Sequence, residues 1–113
     1  MQYMLLVYED ESVVRAPSVL QALGGAHMRL AAEMREKGVM VAGDGLKNAD
    51  TATSVKIKDG AQVIHDGPFP ETREQLGGYY LIEAPDLDAA LEWARKVPMA
   101  EGGGVEVRPV MVY

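Results

Sequence analysis

Residues 2–8, QYMLLVY, form an almost continuous apolar run that is rich in strand-forming residues. Such a run is typical of a strand covered on both faces, so we expect it at the centre of a sheet. The stretch 77–84, GGYYLIEA, has similarly little polar content, and we expect it to be central too. Pro109, in the last apolar segment, removes one backbone donor and therefore indicates an edge strand.

Residues 16–38 predict the first helix. Ser18, followed by Gln21, has the spacing of a capping box, and Gly38 is placed to end the helix. The Gly24-Gly25 pair predicts a kink or a break within it.

Further along the chain, residues 39–46 predict a strand and residues 52–67 a β-hairpin. Asp59-Gly60 is a strong signal for the two-residue turn of that hairpin. A second helix is predicted from the N-cap residue Asp86.

This order predicts an α+β protein with a ferredoxin-like β-α-β-β-α-β layout, an inserted β-hairpin and a single domain over residues 1–113. In that layout both helices cover one face of the sheet. Leaving the other apolar face in water costs about 25 cal/mol per Å². We therefore expect a homodimer, packed sheet to sheet.

The composition excludes several classes of function. A net charge of −6 argues against binding to nucleic acid or to an anionic membrane, since both need a positive surface. The absence of cysteine excludes disulfides, thiolate metal sites and cysteine nucleophiles. No signal peptide or membrane-spanning run is recognisable, so a cytoplasmic location is expected.

Asp66 is the first candidate catalytic residue, because a carboxylate at a strand end before Gly-Pro can act as a general base in a cleft. The alternative is that Asp66 caps its own turn. His27 is the second candidate: it lies in the apolar stripe of the first helix, where it is either a core residue or the acid/base partner of Asp66.

Other polar and loop residues are candidates for ligand binding. Arg73 can clamp an anionic group through its planar guanidinium, or join neighbouring acids in a solvated ion-pair cluster. No metal-ligand spacing is present, and no cofactor is implied. The candidate ligand-binding residues are Asp44, His65, Gly67, Pro68, Phe69, Glu71, Arg73 and Glu74.

The stretch DGPFPETREQLGGYYLIEAPDLDAALEWA, residues 66–94, resembles the DGPF-domain branch of the YCII-related family. MQYMLLVY, VAGDGL and VEVRPVM are also similar to the family, so the resemblance covers essentially the whole chain. The resemblance implies a ferredoxin-like fold paired as a dimeric α/β barrel, small-molecule chemistry and a His-Asp active site. It also implies an association with sigma factors of the extracytoplasmic type.

Two functions follow as expectations. The first is an enzyme, or a binding protein for a small organic molecule, with an Asp acid/base site that His27 assists. The second is a non-catalytic dimeric module that binds a ligand or a protein and acts in regulation beside a sigma factor.

Overall fold

The computed structural model describes residues 1–69 and 73–113 as an α+β protein with antiparallel sheets. The strands are β1 Gln2–Asp10, β2 Met40–Gly45, β3 Thr53–Lys58, β4 Ala61–Asp66, β5 Glu74–Glu83 and β6 Gly104–Pro109. The helices are α1 Glu11–Val14, α2 Pro17–Glu36 and α3 Leu87–Arg95, and a 3₁₀ turn covers Ala49–Thr51.

Four strands form the main sheet in the order β2-β5-β1-β6. The predicted central positions of β1 and β5 are confirmed, as is the edge position of β6. All three pairings are antiparallel, and the arrangement is compatible with a ferredoxin-like α+β fold.

The core lies between one face of this sheet and the two longer helices. Tyr3, Leu5 and Val7 of β1 are buried in it, and α2 and α3 contribute further buried side chains: Leu30, Met34, Ala90 and Ala94. The strand residues alternate because successive side chains point to opposite faces. Asp86 caps α3 as predicted, accepting a hydrogen bond from the backbone N–H of Ala89 at 2.9 Å.

The start of α2 differs from the prediction. Its N-cap is Ala16, with Pro17 in the first turn, and no side chain caps it, so the expected capping box at Ser18 is wrong. Pro17 sets the start because its fixed φ suits the first helical turn and that position needs no N–H donor. The helix also continues through Gly24-Gly25 without a break.

Strands β3 and β4 form a separate two-stranded sheet. Asp59 (φ 51°) and Gly60 (φ 80°) make the predicted turn, and Ser54 pairs with His65 across the hairpin. This hairpin leaves the main sheet where the backbone N–H of Leu46 donates to the Gly77 carbonyl at 2.8 Å.

The second face of the main sheet is covered by neither α2 nor α3. The β1 residues Met4, Leu6 and Tyr8 lie there, only partly buried. By register, Leu81 and Tyr79 of β5 lie beside Met4 and Leu6. We call this surface the open face.

Candidate functional site

A cavity of about 330 Å³ lies between α2 and the helix-facing side of the sheet. Apolar side chains make up much of its wall: Val7, Leu20, Leu23, Met28, Ala31, Met40 and Leu46. Leu20, Met28 and Leu46 remain 58%, 75% and 50% exposed, so the rim of the cavity is apolar as well.

Glycines bring bare backbone to the wall of the cavity. Five lining residues are glycines: Gly24, Gly43, Gly45, Gly77 and Gly78. A Cβ at Gly24 would meet no atom within 4 Å, so there is open space beside α2 at this position. Gly24 therefore leaves the helix without a side chain beside the cavity, and the helix continues through it unbroken.

His27 reaches across the cavity from α2 to the sheet. Its Nδ1 lies 2.6 Å from the phenol oxygen of Tyr80 on β5, and the two rings are stacked with centroids 5.9 Å apart. Both residues line the cavity. This hydrogen bond joins two groups that can each carry a proton.

Burial tunes both groups toward their neutral forms. It lowers the pKa of His27 from 6.5 and raises the pKa of Tyr80 from 10.0. When the phenol donates to Nδ1, the other imidazole nitrogen carries the hydrogen; when Nδ1–H donates to the phenol oxygen, that nitrogen is a free base. The pair can therefore accept or release a proton at the cavity.

Glu9 is the acidic side chain of β1 in this cavity. It lies on the same face as Leu5 and Val7, and its carboxylate packs against Gly77, where any Cβ would overlap it. A β-bulge between Val7 and Tyr8 shifts the register at this point, and bulges often re-aim side chains beside sites. Burial, with the nearby charge of Glu11, raises the pKa of Glu9.

Glu9 and Tyr80 are absent from the residues that the sequence predicts. The predicted strand 2–8 ends one residue before Glu9, although the alternation Leu5, Val7, Glu9 points to the helix side. The same alternation along β5 aims Tyr80 at α2, but the contact with His27 depends on tertiary packing.

Asp44 also lines the cavity, through β2. Its carboxylate accepts a hydrogen bond of 2.9 Å from the Tyr79 hydroxyl, and these two residues are register partners. Since Tyr80 points to the helices, strand alternation places Tyr79 and Asp44 on the open face. The carboxylate of Asp44 is thus directed away from His27.

Asp66 and His65 lie at the end of β4, and both are exposed. Neither lines the cavity that contains His27. The single chain therefore brings His27 together with Tyr80 and Glu9, and leaves Asp66 and His65 on the hairpin.

The Gly67–Phe69 turn is held to the hairpin by specific contacts. The hydroxyl of Ser54 donates to the Gly67 carbonyl at 2.7 Å, and the Gly67 N–H donates to the Ala52 carbonyl at 2.8 Å. The ammonium group of Lys56 lies 4.7 Å from the centroid of the Phe69 ring. Pro68 is partly buried beside them.

Arg73 and Glu74 lie at the start of β5, where both are exposed. Glu74 is opposite Asp10 in the β1–β5 register, and the charge of Arg73 contributes to lowering the pKa of Asp10, after the hydrogen bond from Ser12. Glu71, the remaining candidate, lies outside the described residues.

The described part of the chain contains no group of three or more metal-ligating side chains. Within the same residues, no helix is both long and apolar enough to cross a membrane.

Comparison with known proteins gives two matches over the full chain. The family model for the YCII-related domain matches residues 1–113. A curated relative, an uncharacterized protein of Rhizobium meliloti (strain 1021), is 36% identical over 121 residues, which span 100% of this chain and 94% of the relative.

Proposed function

The chain belongs to the YCII-related domain family, and from this premise we propose that it binds or converts a small organic molecule in the cavity between α2 and the sheet. The observation that carries the proposal is the 2.6 Å contact between His27 and Tyr80 inside that cavity. Largely apolar cavities with a few convergent polar groups are the usual form of small-molecule sites.

The chemistry assigned to this site is general acid/base catalysis. Neutral His27 takes a proton from the bound molecule at its second ring nitrogen, while its Nδ1–H donates to the Tyr80 oxygen and so holds the imidazole in the tautomer that this step requires. The apolar rim favours substrates with a hydrocarbon part.

We also place the chain in the DGPF branch and propose a homodimer that packs through the open face as an α/β barrel. Met4, Leu6 and Leu81, which line this face, support the dimer because their burial removes apolar surface from water. Asp66 lies outside the cavity of its own chain. In this proposal it therefore takes part in the acid/base site only if the hairpin brings it there.

The proposal is tested with a panel of small lactones, enols and halogenated acids. Each compound is assayed for product formation and is titrated into the protein while the NMR resonances of the protein are recorded. We expect at least one class to shift the His27 and Tyr80 resonances. For a converted compound, His27→Gln should reduce kcat about 10²–10⁴-fold, the usual contribution of a positioned acid/base group.

His65→Gln makes the same chemical change at the second histidine of the chain, outside the cavity. Asp66→Asn tests the hairpin carboxylate. If turnover survives in His27→Gln and is lost in His65→Gln or Asp66→Asn, the reaction belongs to the hairpin and the cavity assignment is wrong. If no compound shifts the resonances of His27 or Tyr80, the ligand-binding proposal fails as a whole.

A non-catalytic module that binds a protein, in regulation beside an extracytoplasmic-type sigma factor, is the second candidate. It is favoured by one face of the hairpin, on which Val55, Ile57 and Ile64 are 57%, 70% and 77% exposed. Ile57→Glu would abolish binding of a purified sigma factor in this case, while leaving small-molecule titrations of the cavity unchanged.

A further inference from the structure

Glu9 is a half-buried carboxylate without a described partner. Neither a hydrogen bond nor an ion pair joins its side chain to any residue in the described part of the chain. A carboxylate that is partly shielded from water is stabilised when a donor or a cation lies beside it. The side chain is nonetheless kept in the cavity, against the bare backbone of Gly77.

The other charged and titratable groups around the cavity do not neutralise Glu9. Glu11, the nearby acid, binds the backbone N–H of Ala49 at 2.7 Å and adds a second negative charge. His27 is held in its neutral form by burial. Arg35 lines the far part of the cavity, two turns of α2 or about 12 Å beyond His27.

We propose that Glu9 is the anchor for a cationic ammonium group carried by an apolar ligand of this cavity. The inference rests on the proposed function, because it names the class of molecule that the cavity takes. The ammonium group donates charge-assisted hydrogen bonds to the Glu9 carboxylate, which are stronger than those between neutral groups. The hydrocarbon part of the ligand covers the exposed apolar rim formed by Leu20, Met28 and Leu46.

The alternative for an unpartnered carboxylate is that it takes up a proton and donates to a neutral carbonyl group. The local charge balance favours the cation. The whole chain carries a net charge of −6, and the charge of another acid, Glu11, acts on Glu9. Both features attract cations into the cavity.

The test uses three probes of equal length: n-hexylamine, n-hexanol and hexanoate, titrated into the protein at about pH 8, where the amine is charged. We expect n-hexylamine to bind about tenfold more tightly than n-hexanol, and hexanoate to bind most weakly. Glu9→Gln should remove the preference for the amine and leave the affinity for n-hexanol unchanged.

Two further variants test whether the preference for the amine depends on the position of the Glu9 carboxylate or only on the net charge of the protein. Gly77→Ala retains Glu9 but places a methyl group where the carboxylate lies, so the amine preference should again fall. Glu36→Gln changes the net charge equally at an exposed position of α2 and should leave all three affinities unaltered.

Equal affinities for n-hexylamine and n-hexanol, or an amine preference that survives Glu9→Gln, would overturn this inference and leave the ligand cavity intact. Tighter binding of hexanoate would overturn it in favour of an anion site near Arg35. Failure of all three probes to bind would remove the proposed function as well.

Discussion

The hydrogen bond between His27 Nδ1 and the Tyr80 hydroxyl joins residues 53 positions apart and ties α2 to the central strand β5. The same hydrogen bond thus contributes both to the packing of α2 on the sheet and to the candidate chemistry. A change in the protonation of this pair should therefore alter the stability of the protein as well as its activity.

Burial lowers the pKa of His27 from 6.5, so below this pH the unfolded chain binds the proton before the folded protein does. The contribution of neutral His27 to the free energy of unfolding is therefore complete above pH 6.5 and decreases as the pH falls below that value, toward the lowered pKa of the folded protein. His27→Gln should show a smaller loss than the wild type between about pH 7.5 and about pH 5.5. Urea unfolding at both pH values measures the difference, and identical losses would contradict the prediction.

Glu9→Gln should stabilise the protein at neutral pH. Burial raises the pKa of Glu9, so its ionised form costs free energy in the folded state, and that cost disappears as the pH falls through the raised pKa. We expect Tm to rise by about 2 °C at pH 7 and the difference from wild type to shrink in acid. Differential scanning calorimetry measures both values, with Glu36→Gln as the exposed control. A lower Tm for Glu9→Gln at pH 7 would mean that the carboxylate has a stabilising partner.

Leu6→Glu tests the proposed dimer through the open face. Leu6 lies on the central strand β1, opposite Tyr79 on one side and Glu106 on the other, so a carboxylate there would be buried without a partner between two sheets. Sedimentation equilibrium should show a dimer for the wild type and a monomer for Leu6→Glu.

Ile57→Glu is the matched control, because it introduces the same charge on the exposed face of the hairpin. Dissociation by Ile57→Glu and persistence of the dimer in Leu6→Glu would transfer the interface to the hairpin. A monomeric wild type would exclude both interfaces.

Ser54→Ala should loosen the turn that carries the DGPF motif. Ser54 is 9% exposed and its hydroxyl donates to the Gly67 carbonyl at 2.7 Å, so the loss of the hydroxyl leaves this acceptor unsatisfied at a cost of about 1 kcal/mol. Amide hydrogen exchange at Gly67 should accelerate about fivefold.

Thr51→Ala removes a hydroxyl-to-carbonyl bond of the same length, 2.7 Å to Asn48, at an exposed site. Water can replace this bond, so exchange at neighbouring amides should change much less. Equal effects of the two substitutions would show that the Ser54 contact contributes no more than a surface hydrogen bond.

The sequence predicted the order of the main sheet well, because apolar runs without alternation mark the two central strands and Pro109 marks the edge. It predicted the hairpin turn because Asp59-Gly60 specifies a positive φ at both residues. The start of α2 was misjudged since a capping-box spacing at Ser18 competes with Pro17, whose ring already fixes the first turn.

The candidate site was less predictable. The stripe of α2 was recognised, but its second half packs in the core at Leu30 and Met34, whereas its first half, including Leu20, borders a cavity. The glycines that line this cavity come from three different elements, whose meeting depends on the tertiary fold. The pairing of His27 with Asp66 remains a prediction, since the described chain offers Tyr80 as the partner of His27.

The hydrogen bond from Leu46 to Gly77 closes the base of the excursion that carries the hairpin. The polypeptide leaves the main sheet after Gly45 and re-enters it at Glu74, and the hairpin strands of the excursion between them lie outside the main strand ladder. We expect that the length and sequence of the excursion can be exchanged while the pairing of β2 with β5 beside the Leu46–Gly77 hydrogen bond stays in register. This protein is therefore suited to loop grafting, with a foreign recognition segment installed beside an untouched cavity.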